Sequence, residues 1–196
     1  MTTPTPLMPR ERVPALDLPL VAGGRYVLGA KLAQRFDLLV FYRGLHCPVC
    51  TKYLLELERL APEFEKRGVR SVAISSDESD RAAKMAEKVE ANLVSLAFDL
   101  PLPVARAWGL YLSAGRGEEP AHFNEPGVFL VKPDGTLYYG STQTMPFARP
   151  PLADLLGAVD YAITKDYPRA ANTRARPEPW SSPIPGLQRE SKRVPC

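Results

Sequence analysis

Leu38-Leu39-Val40-Phe41-Tyr42 is a continuous apolar run bounded by Asp37 and Gly44. Such a run is expected as a central strand covered on both faces. The pattern then changes period. Tyr53, Leu57, Leu60 and Phe64 follow at spacings of four, three and four, and Leu54 and Ala61 widen the stripe, which predicts a helix over 48–67. Pro48 suits its first turn and Gly68 its C-terminal cap, while Pro62 inside the pattern is expected to kink it or end it early. A buried strand that feeds a helix at once points to an α/β architecture.

The rest of the chain extends that pattern. Residues 1–16 read as an extended lead-in punctuated by proline, and Gly23-Gly24 marks a turn before Arg25. Residues 69–76 alternate and are rich in β-branched side chains, which predicts a second strand. Ser79 or Asp80 is placed to cap a helix running through Val89. A strand is expected at 94–98, a short helix at 103–108 and a polar loop at 113–125. A further strand is expected over 127–131, and Pro133-Asp134-Gly135 turns the chain into 136–139. The last helix falls at 152–163. After Tyr167 the chain has six prolines and little periodicity. The expectation is one α/β domain over 14–165, with a mostly parallel sheet and an antiparallel hairpin at one side, followed by an extended Pro-rich basic tail over 166–196.

Charge and composition exclude several functions. The chain carries +3 overall; residues 166–196 hold six basic and three acidic side chains, so the tail accounts for the whole excess and the body balances. A nucleic-acid partner is therefore not expected. No apolar stretch approaches the roughly 20 residues needed to span a bilayer, so no membrane association is expected. The polar, Pro-rich start lacks a secretory pattern, which suggests the cytoplasm.

Three cysteines in 196 residues are too few for a disulfide scaffold, and two of them stand in Cys47-Pro48-Val49-Cys50. Cys47 falls between the end of a buried strand and the first turn of a helix. The unpaired N–H groups there carry positive partial charge, which stabilises a thiolate and lowers its pKa from the free value of about 8.5. Cys50, one turn on, is within reach of Cys47 and is expected to be the less exposed of the two. The roles that follow are attack by Cys47 and resolution by Cys50. Pro48 removes one N–H from that first turn, which should leave the pair less electropositive. The alternatives are two inert buried cysteines, or a non-catalytic metal-binding or interaction module. Zinc needs about four ligands, and His46, His122 and Cys196 are the only other soft ones, so no metal is expected.

The segment from Phe41 to Cys50, Phe-Tyr-Arg-Gly-Leu-His-Cys-Pro-Val-Cys, resembles the F-Y-R-G-x-W-C-P-x-C stretch of peroxiredoxin-like proteins of the alkyl hydroperoxide reductase/thiol-specific antioxidant (AhpC/TSA) group. Val72-Ala73-Ile74-Ser75-Ser76-Asp77 is similar to that group's strand ending in S-x-D. Phe98-Asp99 and residues 104–110 resemble its next conserved stretch, and residues 128–136 its strand leading to D-G. The resemblance covers about residues 14–165. It implies a thioredoxin-like fold and no cofactor. It also implies an antioxidant thiol peroxidase with Cys47 as the peroxidatic cysteine, cycling with Cys50 through a redox-active disulfide. The implied partners are a hydroperoxide or disulfide substrate and a thioredoxin-type or low-molecular-weight thiol reductant; a homodimer is compatible with it. The chain departs from the group in having Gly44 and Val40 where a Thr/Ser and a Pro usually shape the peroxide pocket. It also has Asn124-Glu125-Pro126-Gly127 where an arginine usually stands. Pro126 resembles instead the cis-proline of thioredoxin-type reductases, which favours the alternative of a thiol–disulfide oxidoreductase.

The supporting candidates are Arg43, His46, Pro48, Pro126 and Arg149. Arg43 is weighed between site electrostatics and a salt bridge at the strand end. His46 is weighed between proton transfer for Cys47 and packing. Arg149 is weighed between supplying the missing positive charge and lying on the surface at a helix start. Cys196 is expected to be a spare thiol, with resolution across a dimer as the alternative. Tyr138, Tyr139 and Trp108 are expected to pack.

Overall fold

The computed structural model describes residues 7–168. The 14–165 boundary lies inside that range, whereas most of the 166–196 tail, Cys196 included, lies outside it. The elements in chain order are β1 (Asp17–Pro19), β2 (Arg25–Val27), β3 (Phe36–Phe41), α1 (Pro48–Lys66), β4 (Val69–Ile74), α2 (Ser79–Lys88), β5 (Ser95–Ala97), α3 (Leu102–Ala107), β6 (Leu112–Ala114), β7 (His122–Asn124), β8 (Gly127–Val131), β9 (Leu137–Thr142) and α4 (Leu152–Thr164). Five strands form the central sheet in the order β5-β4-β3-β8-β9. β3 pairs parallel with β4 and antiparallel with β8, so the apolar run lies in the middle and every one of its residues is buried.

Alternate residues of β3 serve the two faces, as the pleat requires. Leu38, Val40 and Tyr42 pack against Leu54, Leu57 and Phe64 of α1, Met85 of α2 and Leu152, Leu155 and Val159 of α4. Leu39 and Phe41 face a second core with Leu18 and Tyr26 of the β1–β2 hairpin, Trp108 and Phe129. Phe41, Trp108 and Phe129 meet in tilted and edge-on contacts with centroids 5.1–5.6 Å apart. Burial of each such large side chain contributes about 1.5–3 kcal/mol. Both faces are thus filled.

Four local expectations need correction. α1 does not stop at Pro62 but runs to Lys66, with Gly68 following its C-cap Arg67 at φ +72°. Pro62 lies on the exposed face of the helix. Ser79 is the first residue of α2 rather than its cap; Glu78 holds the cap position without a side-chain hydrogen bond, and Asp80 lies in the first turn. Residues 113–125 are not a loop. β6 and β7 pair antiparallel across them, with Phe123 and Asn124 buried. The polar composition that suggests a loop belongs to the hairpin's tip. Finally, β9 extends to Thr142, past the expected 136–139, with an irregularity opposite Leu130/Val131.

Candidate active site

α1 begins within a few residues of the end of β3, so Cys47 sits at the sheet's C-terminal edge. Its backbone is extended (φ −101°, ψ 102°), it caps α1, and Pro48 occupies the first helical position. The Cys47 carbonyl accepts the Thr51 N–H at 3.1 Å, and the Cys47 N–H donates to Gly44 O at 3.1 Å. The Cys47 Sγ accepts the Cys50 main-chain N–H at 3.2 Å. The sulfur thus takes the place of a capping oxygen at a helix N-terminus.

Both thiols are free and both are buried, at 1% and 0% exposure. Cys50 is the less exposed of the two, by a narrow margin. They differ in charge state. The Cys50 thiol, donating its hydrogen bond to Cys47, is the largest influence lowering the Cys47 pKa. The Cys50 N–H, Arg149 and Arg43 add to it, burial opposes it, and the result is about 6. Cys50 moves the other way: burial pushes its thiol up, and its hydrogen bond to Cys47 adds to that, against a downward pull from Arg149. The pair is a thiolate held by a thiol.

Arg149 reaches this pair from the segment between β9 and α4. Its Nη2 donates to Cys50 Sγ at 2.9 Å. The guanidinium lies 5.0 Å over the Tyr53 ring, and the Tyr53 hydroxyl donates to Pro150 O at 2.7 Å. The surface position considered for Arg149 is thus not the one it takes.

Arg43 and His46 turn toward the β6–β7 hairpin. Arg43 Nε lies 3.4 Å from Glu125 Oε2 and Nη2 lies 3.6 Å from Glu119 Oε1, with the guanidinium 4.5 Å over Phe123. His46 stacks on Phe123 at 4.6 Å, with Nε2 3.8 Å from Glu119. Burial, then the neighbouring Arg43, lower the His46 pKa, which keeps the imidazole neutral at pH 7. Pro126 contradicts the cis expectation: its peptide bond is trans, and its carbonyl accepts the Gln143 N–H at 2.9 Å. It joins β8 to β9 by an ordinary extended bond.

Several residues shape this edge in ways that the sequence does not assign. Gly44 has φ +128°, and a Cβ there would lie 2.6 Å from Asp77 Oδ1. Asp77 accepts the Leu45 N–H at 2.7 Å and Arg81 Nε at 2.9 Å. A carboxylate from β4's end therefore fills the space that a side chain at residue 44 would need. The buried Asn124 accepts the Ser76 N–H and hydroxyl at 3.2 and 2.8 Å and donates to Tyr42 O at 3.1 Å. It ties the ends of β3, β4 and β7 together. The resemblance touches Asp77, Asn124 and Glu125 without giving them these contacts, nothing in the spacing marks Glu119, and Tyr53 is hidden in the apolar stripe of α1. Among the described residues no three His, Cys, Asp or Glu side chains gather as a metal site, and no helix is long and apolar enough to cross a membrane.

A Cys-x-x-Cys at a strand-to-helix junction on a mixed sheet defines a thioredoxin-like thiol oxidoreductase. Within that class the chain belongs to the AhpC/TSA family, whose model matches residues 9–140. It is accordingly a thiol-dependent peroxidase. It is 31% identical over 111 residues to a candidate peroxiredoxin of Mycobacterium tuberculosis, covering 57% of this chain and 69% of the relative. It is 46% identical over 104 residues to the 1-Cys peroxiredoxin of Onchocerca volvulus, covering 46% of this chain and 45% of that one. Its fold is similar to that of a cysteine mutant of Peroxiredoxin 6 of Arenicola marina, with a TM-score of 0.72 at 19% identity, covering 82% and 75% of the two chains.

Proposed function

We propose that residues 14–165 form a peroxidase unit that reduces hydroperoxides by a Cys47/Cys50 cycle. The Cys47 thiolate attacks the terminal oxygen of the peroxide, the O–O bond breaks, and the alkoxide or hydroxide leaves, taking a proton from solvent to become alcohol or water. Cys47 is then a sulfenic acid. Cys50 attacks its sulfur, hydroxide leaves as water, and a Cys47–Cys50 disulfide remains. Two equivalents of an external thiol, of thioredoxin type or low molecular weight, restore the pair. A reducing compartment such as the cytoplasm suits a dithiol that must return to this state.

The observation that carries this reading is the Cys47 sulfur at the cap of α1, hydrogen-bonded by the Cys50 thiol and, at 3.2 Å, by the Cys50 N–H, contacts that draw its pKa down to about 6. Its burial at 1% favours a small oxidant over a disulfide carried by a folded protein. Arg43 and His46 act indirectly in this reading. They pin the β6–β7 hairpin beside the pair through Glu119, Glu125 and Phe123. Pro48 starts α1 so that the Cys50 N–H points at Cys47.

One observation favours thiol–disulfide exchange instead: Gly44 offers no hydroxyl to a peroxide, and Asp77 leaves no room for one. The test is stopped-flow reaction of the fully reduced protein with hydrogen peroxide, with intact mass recorded over time. Loss of the Cys47 thiol orders of magnitude faster than free cysteine, with a two-proton mass decrease, supports the peroxidase cycle. A rate like that of free cysteine overturns it and leaves disulfide exchange.

A further inference from the structure

Arg149 lies beside the two thiols. No carboxylate of the described residues lies within ion-pair distance of it, while its Nε and Nη1 are buried without hydrogen-bond partners. Leaving such atoms dry is costly unless an anion forms among them at some stage. Among the described residues the guanidinium's hydrogen-bond acceptor is the Cys50 sulfur, at 2.9 Å. Its approach is fixed at three points. Ala148 turns the chain at φ +57°, the Tyr53 ring lies beneath the guanidinium, and the Tyr53 hydroxyl holds the next carbonyl, Pro150 O, at 2.7 Å. The other nearby cation, Arg43, is occupied by Glu119 and Glu125.

We propose that Arg149 activates Cys50, and that Tyr53 is the residue that positions it. The proposal rests on the Cys47/Cys50 cycle above. In the reduced enzyme Cys47 carries the negative charge, and Cys50 remains a thiol that donates to it. Peroxide turns Cys47 into an uncharged sulfenic acid. Arg149 then faces Cys50 with no competing anion, and Cys50 gives up its proton to water. The resulting thiolate attacks the Cys47 sulfur; the S–S bond forms, the S–O bond breaks, and hydroxide departs with a proton as water. In the return half-cycle an external thiolate attacks Cys47, and the bond to Cys50 breaks. The electron pair leaves on Cys50 Sγ, where Arg149 receives it. The loss of charge at Cys47 thus orders the two steps: Cys50 is held back until its partner is oxidised.

The test compares wild type with Arg149→Met, Arg149→Lys and Tyr53→Phe. Each reduced protein receives one equivalent of hydrogen peroxide and is quenched with dimedone at successive times for intact-mass analysis. The expected result for Arg149→Met is consumption of the peroxide, accumulation of a dimedone-trapped sulfenic acid, and disulfide formation slower by about tenfold to a hundredfold, the worth of a charge-assisted hydrogen bond. Arg149→Lys restores most of that rate and Tyr53→Phe lowers it less. Disulfide formation at the wild-type rate in Arg149→Met overturns the proposal. Should Arg149→Met fail to fold, Arg149→Gln takes its place, and a wild-type disulfide rate in that variant overturns the proposal equally. A wild-type protein that forms no disulfide at all overturns the cycle itself, a result separable from the others.

Discussion

Two arginines bury part of their guanidinium at opposite ends of the sheet. At the start of β4, Arg70 donates to Asp37 at the start of β3 at 2.6 Å and lies 5.3 Å from the Tyr26 ring. At the other end, Arg149 also lies on a tyrosine ring, 5.0 Å from Tyr53, but donates to a sulfur at 2.9 Å. The scaffolding is the same and the partner differs. A permanent carboxylate closes the first pair in every state of the protein, which makes it structural. A thiol completes the second pair only when it ionises, so its charge balance changes during a reaction. The chemistry lies where the ion pair is incomplete.

Removing the anion from each end separates the two most sharply. Cys47→Ser should reduce peroxide consumption by about a thousandfold or more while leaving the fold, because a hydroxyl at a helix cap is not ionised at neutral pH. Peroxidase assay beside thermal unfolding checks both halves. Residual turnover near wild type would remove Cys47 from the chemistry. Asp37→Ala should do the reverse. It leaves Arg70 half-buried without its partner and should cost about 1–3 kcal/mol in denaturant unfolding, with Cys47 oxidation kept at its wild-type rate.

Gly44→Ala tests how tightly the reactive end is built. The added Cβ would lie 2.6 Å from the Asp77 carboxylate on a backbone at φ +128°. Strain and displacement of Asp77, which also holds the Leu45 N–H, should cost about 2–4 kcal/mol. A variant as stable as wild type would mean that Asp77 moves freely, and the geometry around Cys47 would then be soft.

A pH titration of alkylation distinguishes the two thiols. Cys47 lies at about 6, below the ordinary thiol value, so its iodoacetamide reactivity should be half-maximal near pH 6 and level from about 7 upward. Below that midpoint the rate should fall about tenfold per pH unit as the thiolate is protonated. The same depression gives the fold stability that is fully present above the free thiol value and is lost as pH falls through about 6. Cys50, held protonated by burial and by Cys47, should stay unmodified across this range. Mass mapping of the label checks this; label on Cys50 at neutral pH would reverse the assignment of roles.

The elements that follow from local pattern were legible before the structure. The β3 run, the α1 stripe and the Cys47 cap each follow from periodicity over adjacent residues. What the pattern missed depends on long separations. Arg149 meets Cys50 across 99 positions and Asn124 meets Tyr42 across 82. No short-range period records such pairings. The β6–β7 hairpin escapes the pattern because its strands are three residues long, too short for alternation to register, and its tip is polar. Pro126 misled in another way, since its place in the sequence suggested a role that its trans geometry does not support.

The smallest effect should come from Tyr53→Phe, which keeps the ring under Arg149 and removes only the hydroxyl that holds Pro150 O at 2.7 Å. One neutral hydrogen bond contributes about 1 kcal/mol, so a small drop in unfolding free energy is expected. The midpoint of Cys47 alkylation should stay near 6, because the Cys50 thiol and N–H, not Tyr53, hold that thiolate. A shifted midpoint would show that the anchoring of Pro150 already governs the reduced state. The contrast with Arg70 would then narrow, for the pull of Arg149 on the resting Cys47 thiolate would depend on the Tyr53 anchor.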